Sequence, residues 1–237
     1  GAIQVYEEAH PALQKINDEM QWVGAITKAF EAHRFVLYRQ LKVALSPAVT
    51  TQHYEILLRL RGEDGTIISP GEFLPAAERF HLATRIDRWV LGRAVQHIRA
   101  MPDMAALGTL CINLSGQSVG DRAFHRHAIE TLSAGGSEVC KRICLEITET
   151  AAVTNMADAV VFIEQVRGLG VRIALDDFGA GASSFGYLKT LKVDLLKIDG
   201  SFIRDLIDDP LDDAAVRCFV DVARVLGIET VAEFVDR

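Results

Sequence analysis

The feature that most limits how this chain can fold is a rhythm. Short, largely apolar runs recur at 35–38 (FVLY), 54–60 (YEILLRL), 109–114 (TLCINL), 142–147 (RICLEI), 171–175 (VRIAL), 193–198 (VDLLKI) and 228–233 (IETVAE). Segments of helical length separate most of them. In 86–100, Ile86, Trp89, Val90, Leu91, Ala94 and Ile98 repeat at threes and fours. Segments 156–169 (Ala159, Val160, Ile163, Val166, Leu169) and 211–226 (Ala214, Ala215, Cys218, Phe219, Val222, Leu226) do the same. Strands without a polar face belong inside a parallel sheet covered by helices. This predicts an α/β fold, and seven strands in one β-α rhythm suit a (β/α)8 TIM-type barrel better than an open sheet. Neither GxGxxG nor GxxxxGK[ST] is present to argue for a dinucleotide fold or a P-loop. A barrel must close, so an eighth strand is expected beyond Arg237.

Local signals refine this. SPGE at 69–72 predicts a helix start, with Ser69 as N-cap, Pro70 as first helical residue and Glu72 reaching back. Residues 1–33 stand apart. IQVYEE reads as a strand remnant, and Ile16, Met20, Val23, Ile26 and Phe30 mark one amphipathic helix. We read 1–32 as a linker helix following an upstream domain, and 33–237 as the barrel domain.

Composition excludes some functions. The net charge of −7 argues against a nucleic-acid polymer or an anionic membrane surface as partner. A small phosphate-bearing ligand stays compatible, because a bound metal reverses the local sign. No run approaches the roughly 18 apolar residues of a membrane span, and GAIQVYEEAH lacks the features of a signal peptide. A cytoplasmic domain is expected, with any membrane anchor elsewhere in a full-length protein. Cys111, Cys140, Cys144 and Cys218 form no CxxC pair and read as reduced thiols rather than disulfides or zinc ligands. Of the seven histidines only His125 and His127 are close, at a spacing that does not share a helix face.

The chemistry lies in polar residues embedded in the apolar runs: Glu55, Asn113, Glu146, Asp176 with Asp177, Lys197 and Glu233. Each taken singly has an ordinary structural explanation. Taken together they place one polar set on each of six strands, and barrel strand ends converge on one rim. Burying several carboxylates without partners costs several kcal/mol each. A cluster of hard cations is the economical account, and carboxylates with an amide oxygen suit Mg²⁺ or Mn²⁺. Two ions about 3.5–4 Å apart are a recurring solution for phosphodiester hydrolysis. Lys197 would balance charge and position a water.

In order along the chain, Glu55-Ile56-Leu57, SPGEFLPAAE (69–78), INLS (112–115), LEITE (145–149), ALDDFGAG (174–181), LKIDGSF (196–202) and VAEFVD (231–236) resemble the successive motifs of the EAL family, the cyclic-di-GMP phosphodiesterases. The resemblance spans about residues 33–237. It implies a (β/α)8 barrel with an antiparallel first strand and hydrolysis of cyclic-di-GMP to linear pGpG. It implies Glu55, Asn113, Glu146 and Asp176 around one metal, with Asp176 bridging to a second that also meets Asp177. Lys197 and Glu233 would align and deprotonate the attacking water, with Glu55 counted among the catalytic residues. Gln40, Leu57 and Arg59 match substrate-contacting positions. Glu149 matches a glutamate supporting the loop GAGASSFGYLK (179–189), which couples the site to a homodimer in the family. By the residues alone, that loop is a turn with Ser183 or Ser184 capping the next helix.

Departures are visible as well. Leu41 follows Gln40 where Pro is frequent, Ala180-Gly181-Ala182 stands where Thr-Gly-Tyr is frequent, and Asp236 stands where Glu is frequent. The altered loop leaves a second reading, a catalytically inactive cyclic-di-GMP receptor. A third, an enolase-like metal-dependent barrel, would use the carboxylates and Lys197 for proton abstraction. The start of the chain resembles the seam after a GGDEF (diguanylate cyclase) domain, which implies upstream regulatory domains.

Overall fold

A computed structural model describes residues 11–181 and 185–235. The strand expected at IQVYEE, the cap at Ser183 or Ser184, and Asp236 lie outside the described residues. The chain divides into two compact units, one within 1–38 and 57–83, the other within 39–56 and 84–237.

The first unit contains α1 (Pro11–Glu31), the start of β1 (Phe35–Lys42), the second half of β2 (Gln52–Arg61), β3 (Ile67–Ile68) and α2 (Pro70–Arg79). Ile26 and Ala29 of α1 are buried while Met20 is exposed. Trp22 lies 6.3 Å from Phe73 between ring centroids, and Phe35 touches both Phe30 and Phe73. The later part of α1, from Trp22 on, therefore packs against α2 and the start of β1. The backbone N–H of Arg61 donates to the carbonyl of Arg34 at 2.9 Å. The end of β2 thus lies beside the start of β1, so β1 runs antiparallel to β2. The start of α2 carries the expected Glu72 carboxylate, which accepts from the Ser69 N–H at 3.2 Å.

The second unit carries the repeating part. After α3 (Ala83–Arg99) come β4 (Leu107–Leu114), α4 (Gly116–Gly120), α5 (Arg122–Gly135), α6 (Ser137–Cys140), β5 (Ile143–Thr148), α7 (Glu149–Thr154) and α8 (Met156–Gly168). Then follow β6 (Arg172–Phe178), a 3-10 turn at Phe185–Lys189, β7 (Leu195–Ile198), α9 (Gly200–Ile203), α10 (Pro210–Leu226) and β8 (Glu229–Ala232). The sheet order is β1-β2-β4-β5-β6-β7-β8, with the two-residue β3 paired to β2. From β2 onward each strand on this path is parallel to the next.

Both faces of the central strands are buried, as the apolar runs require. Ile112, Leu145, Ile147, Ile173, Leu175 and Leu196 are all close to fully covered, alongside Phe124 and Phe162 of the helices. Cys111, Cys140 and Cys144 are buried free thiols, and Cys218 is an exposed one. Among the described residues, no helix is long and apolar enough to cross a membrane. The main departure from the sequence reading is the length of β1. The apolar run FVLY suggests a strand ending at 38, but the strand continues through Arg39 and Gln40 to Lys42.

The turn after β4 is held by one buried carboxylate. Asp87 of α3 accepts from the Ser115 N–H (2.9 Å), the Ser115 hydroxyl (2.7 Å) and the Ser118 hydroxyl (2.6 Å). We expect Asp87→Ala to cost about 2–4 kcal/mol, because it strands several buried donors at once. Urea unfolding of the variant measures this. A loss within 0.5 kcal/mol, the range of an ordinary surface change, would show that the turn does not depend on it.

Candidate active site

Alternate residues of a strand share a face. Cys111, Cys144, Ala174, Leu195 and Val231 pack together as one apolar cluster. Two residues further along the same strands stand Asn113, Glu146, Asp176, Lys197 and Glu233. The parallel register thus converts a sequence spacing of two into a polar layer above an apolar one. Asn113 pairs with Glu146 across β4 and β5, and Lys197 with Val231 across β7 and β8. Each of these polar residues sits within two residues of the C-terminal end of its strand.

Lys197 is the centre of this layer, only 2% exposed. Its ammonium lies 2.9 Å from Glu146 Oε2, 2.9 Å from Asp176 Oδ2, 2.9 Å from Glu233 Oε1 and 3.4 Å from Glu55 Oε2. Asn113 Nδ2 donates to Glu55 Oε1 at 2.9 Å. The other oxygen of Glu146 meets a second lysine, Lys42 of β1, at 3.1 Å, and Lys42 also donates to Cys111 Sγ at 2.7 Å.

Adjacent aspartates should point to opposite faces, yet an oxygen of each lies close to the other and to Glu233. Between Leu175 and Phe178, β6 spends one residue more than its partner β7, where Leu196 and Ile198 are the matching positions. This is a β-bulge. Asp177 takes φ +53° there, a left-handed conformation that Asp tolerates better than most side chains. Asp176 stays buried and Asp177 is exposed. Ligand oxygens of Asp176, Asp177 and Glu233 all lie within 4.8 Å of one another. Gly179, at φ +99°, ends the strand where a Cβ would run into Phe219 and Phe202.

The electrostatics follow from crowding. Burial lifts the Asp176 carboxyl to about 7, with Glu233 and Glu146 adding to the rise and Lys197 opposing it. Burial also raises Glu233, again against Lys197. Burial pushes Glu146 the same way, but Lys197 and Lys42 outweigh it and hold this carboxylate below its usual range. Both lysines are raised despite the desolvation that would discharge them, Lys197 by the carboxylates around it and Lys42 by Cys111 and Glu146. The donor set is carboxylates and one amide, which fits a hard divalent cation. The raised Asp176 carboxyl marks a group withdrawn from water first and crowded by other acids second.

Glu149 is placed differently. It is buried, accepts from the Gly179 N–H at 3.0 Å and from the Tyr187 hydroxyl at 2.6 Å, and so ties both ends of the segment after β6. Gln40 is exposed on β1. Leu57 and Arg59 belong to the first unit, where Arg59 donates to the Leu58 carbonyl and lies over the Tyr38 ring. Sequence reasoning missed Lys42 and Tyr187. Lys42 had a usable signal, a charge between two apolar neighbours on an extended strand, but the strand had been cut short. Tyr187 had none.

Comparison with known proteins places the chain. The model of the EAL domain matches residues 23–237. The chain belongs to the EAL-domain family. It is 36% identical over 234 residues to the cyclic di-GMP phosphodiesterase PdeB of Shewanella oneidensis, covering 99% of this chain and 27% of that protein. It is 34% identical over 223 residues to the cyclic di-GMP phosphodiesterase PdeF of Escherichia coli, covering 94% and 29%. This EAL chain therefore spans between a quarter and a third of the length of these relatives. Among solved structures it resembles the PaMucR phosphodiesterase in complex with c-di-GMP (TM-score 0.82, 33% identity, 92% and 87% covered). It also resembles the FimX EAL domain of Pseudomonas aeruginosa bound to c-di-GMP (TM-score 0.81, 26% identity, 91% and 86% covered).

The raised Asp176 gives a signed pH dependence. The folded chain keeps this proton up to about pH 7, whereas the unfolded chain releases it near 3.9. The associated stability is complete below about pH 4 and is lost as pH rises through about 7. In EDTA, Asp176→Asn should therefore gain on the parent protein between pH 5 and pH 8. Urea midpoints at the two pH values test this, and a difference that does not change with pH contradicts it.

Proposed function

We propose that this EAL chain hydrolyses cyclic-di-GMP, opening one 3′–5′ phosphodiester bond to give linear pGpG. The observation that carries the reading is the convergence of Glu55, Glu146, Asp176 and Glu233 on the single ammonium of Lys197, the last three near the C-terminal ends of their parallel strands and Glu55 in the first half of β2. The cyclic di-GMP phosphodiesterases among the relatives and the c-di-GMP-bound EAL structures support the choice of substrate.

Glu55, Asn113, Glu146 and Asp176 would hold one divalent ion, and Asp176 with Asp177 a second, each Mg²⁺ or Mn²⁺. When bound, the ions supply a nucleophilic water at neutral pH and neutralise charge on the phosphate. Glu233 accepts the water's proton, an assignment its raised proton affinity favours. Lys197 orients that water as its carboxylate partners turn to the cations. The water oxygen bonds to phosphorus as the bond to the ribose 3′-oxygen breaks. Gln40, Leu57 and Arg59 are assigned to the dinucleotide, and Glu149 to support of the loop after β6.

A receptor that binds without hydrolysis is the second reading, favoured by Ala180-Gly181-Ala182. The complete carboxylate set favours the hydrolase. We further propose a homodimer in a cytoplasmic setting, and regulatory domains upstream. A bifunctional diguanylate cyclase/cyclic di-GMP phosphodiesterase, MucR of Pseudomonas aeruginosa, is 34% identical over 228 residues, which agrees with such an arrangement.

Purified chain with Mg²⁺ or Mn²⁺ should convert cyclic-di-GMP to pGpG, and EDTA should stop it. Binding without turnover, unaffected by Asp176→Asn, would hand the case to the receptor reading. Lys197→Ala should lower kcat by about 10²–10⁴-fold while dinucleotide affinity in Ca²⁺ changes little, as befits a group acting on the water. Equal losses in both would count against that role.

A further inference from the structure

The Lys42 side chain is largely covered where a one-residue slip would cover an apolar residue instead. Its neighbours Leu41 and Val43 are 51% and 78% exposed, yet the Lys42 side chain is only 15% exposed. A strand with a free choice of register puts its apolar residues inward. Here the lysine takes the inward position, and its ammonium meets Cys111 Sγ and Glu146 Oε1. The layer beneath the site includes the small side chains Cys111, Cys144 and Ala174, and the Lys42 ammonium reaches the first of them.

Formal charge shows what the lysine changes. Glu55, Glu146, Asp176, Asp177 and Glu233 carry five negative charges when ionised, and Lys197 with Lys42 returns two positive ones. Two divalent ions leave this site at plus one, which one phosphodiester anion brings to zero. Without Lys42 the ion-loaded site is already neutral before substrate arrives. In a buried site a full charge at this range is weakly screened.

We propose that Lys42 is a charge-setting positioning residue of the metal site. It holds one oxygen of Glu146 from beneath, weakens divalent binding, and keeps the ion-loaded site positive so that it attracts the anionic dinucleotide. The proposal rests on reading the carboxylate layer as a divalent-cation site. Lys197 cannot substitute for it, since Lys197 meets the other oxygen, Oε2, on the side of Asp176 and Glu233.

The test uses Lys42→Met, which keeps length and removes charge, and Lys42→Arg, which keeps charge. Calorimetric titration of metal-stripped protein with Mn²⁺ should show at least tenfold tighter binding for Lys42→Met. Cyclic-di-GMP should bind the Ca²⁺-loaded variant at least tenfold more weakly, and Lys42→Arg should restore both. Simple structural damage would weaken both affinities. Should Lys42→Met not fold, Lys42→Gln, which keeps a hydrogen-bond donor for Glu146, carries the same expectation. If the parent protein binds Mn²⁺ but the neutral variants bind it equally or more weakly, the proposal falls and the metal site stands. If the parent binds no Mn²⁺, both fall.

Discussion

Everything at the polar end of this sheet depends on one buried ammonium. Lys197 is closed off from solvent, and four carboxylates from four other strands turn towards it. A buried ionic cluster is weak evidence for stability, since its desolvation cost rivals its attraction. An apolar plug of equal volume would serve the fold as well. What the cluster provides is a set of acids held at short range with their charges partly cancelled by Lys197.

That arrangement is built from simple parts. Parallel register makes positions two apart on neighbouring strands into stacked layers, so Cys111, Cys144, Ala174, Leu195 and Val231 form the floor on which the acids stand. Beyond the strand ends, Asp87 fixes the turn after β4, and Glu149 ties Gly179 to Tyr187 after β6. The acids therefore sit on rigid elements, and the connecting segments are secured by carboxylates that lie outside the central cluster.

Much of this was legible in the chain. Apolar runs of strand length, separated by helical periodicity, betray a sheet buried on both faces. The polar interruptions in those runs stood out because nothing else would place Glu146 or Lys197 inside Ile-Cys-Leu-Glu-Ile or Leu-Leu-Lys-Ile. Other parts were illegible for definite reasons. Arg39 and Gln40 ended the apolar signal of β1 early, which hid Lys42, although the pairing continues through polar residues. Tyr187 acts on Glu149 over 38 residues of sequence, and no local pattern reports such a contact. The bulge in β6 is equally silent. Two consecutive aspartates suggest a shared task, but alternation alone would send them to opposite faces.

That bulge bears on which ions the site would accept under the proposed function. Side chains on well-separated residues can swing to suit ions of different radius. Asp176 and Asp177 are consecutive, short, and set by a main-chain kink with φ +53° at the second of them. The spacing of their Cβ atoms is thus dictated by the peptide backbone, and only two short side chains remain to adjust the gap between the carboxylates. On the proposed metal-site reading, such a pair would act as a narrow caliper, its span limited by the polypeptide trace.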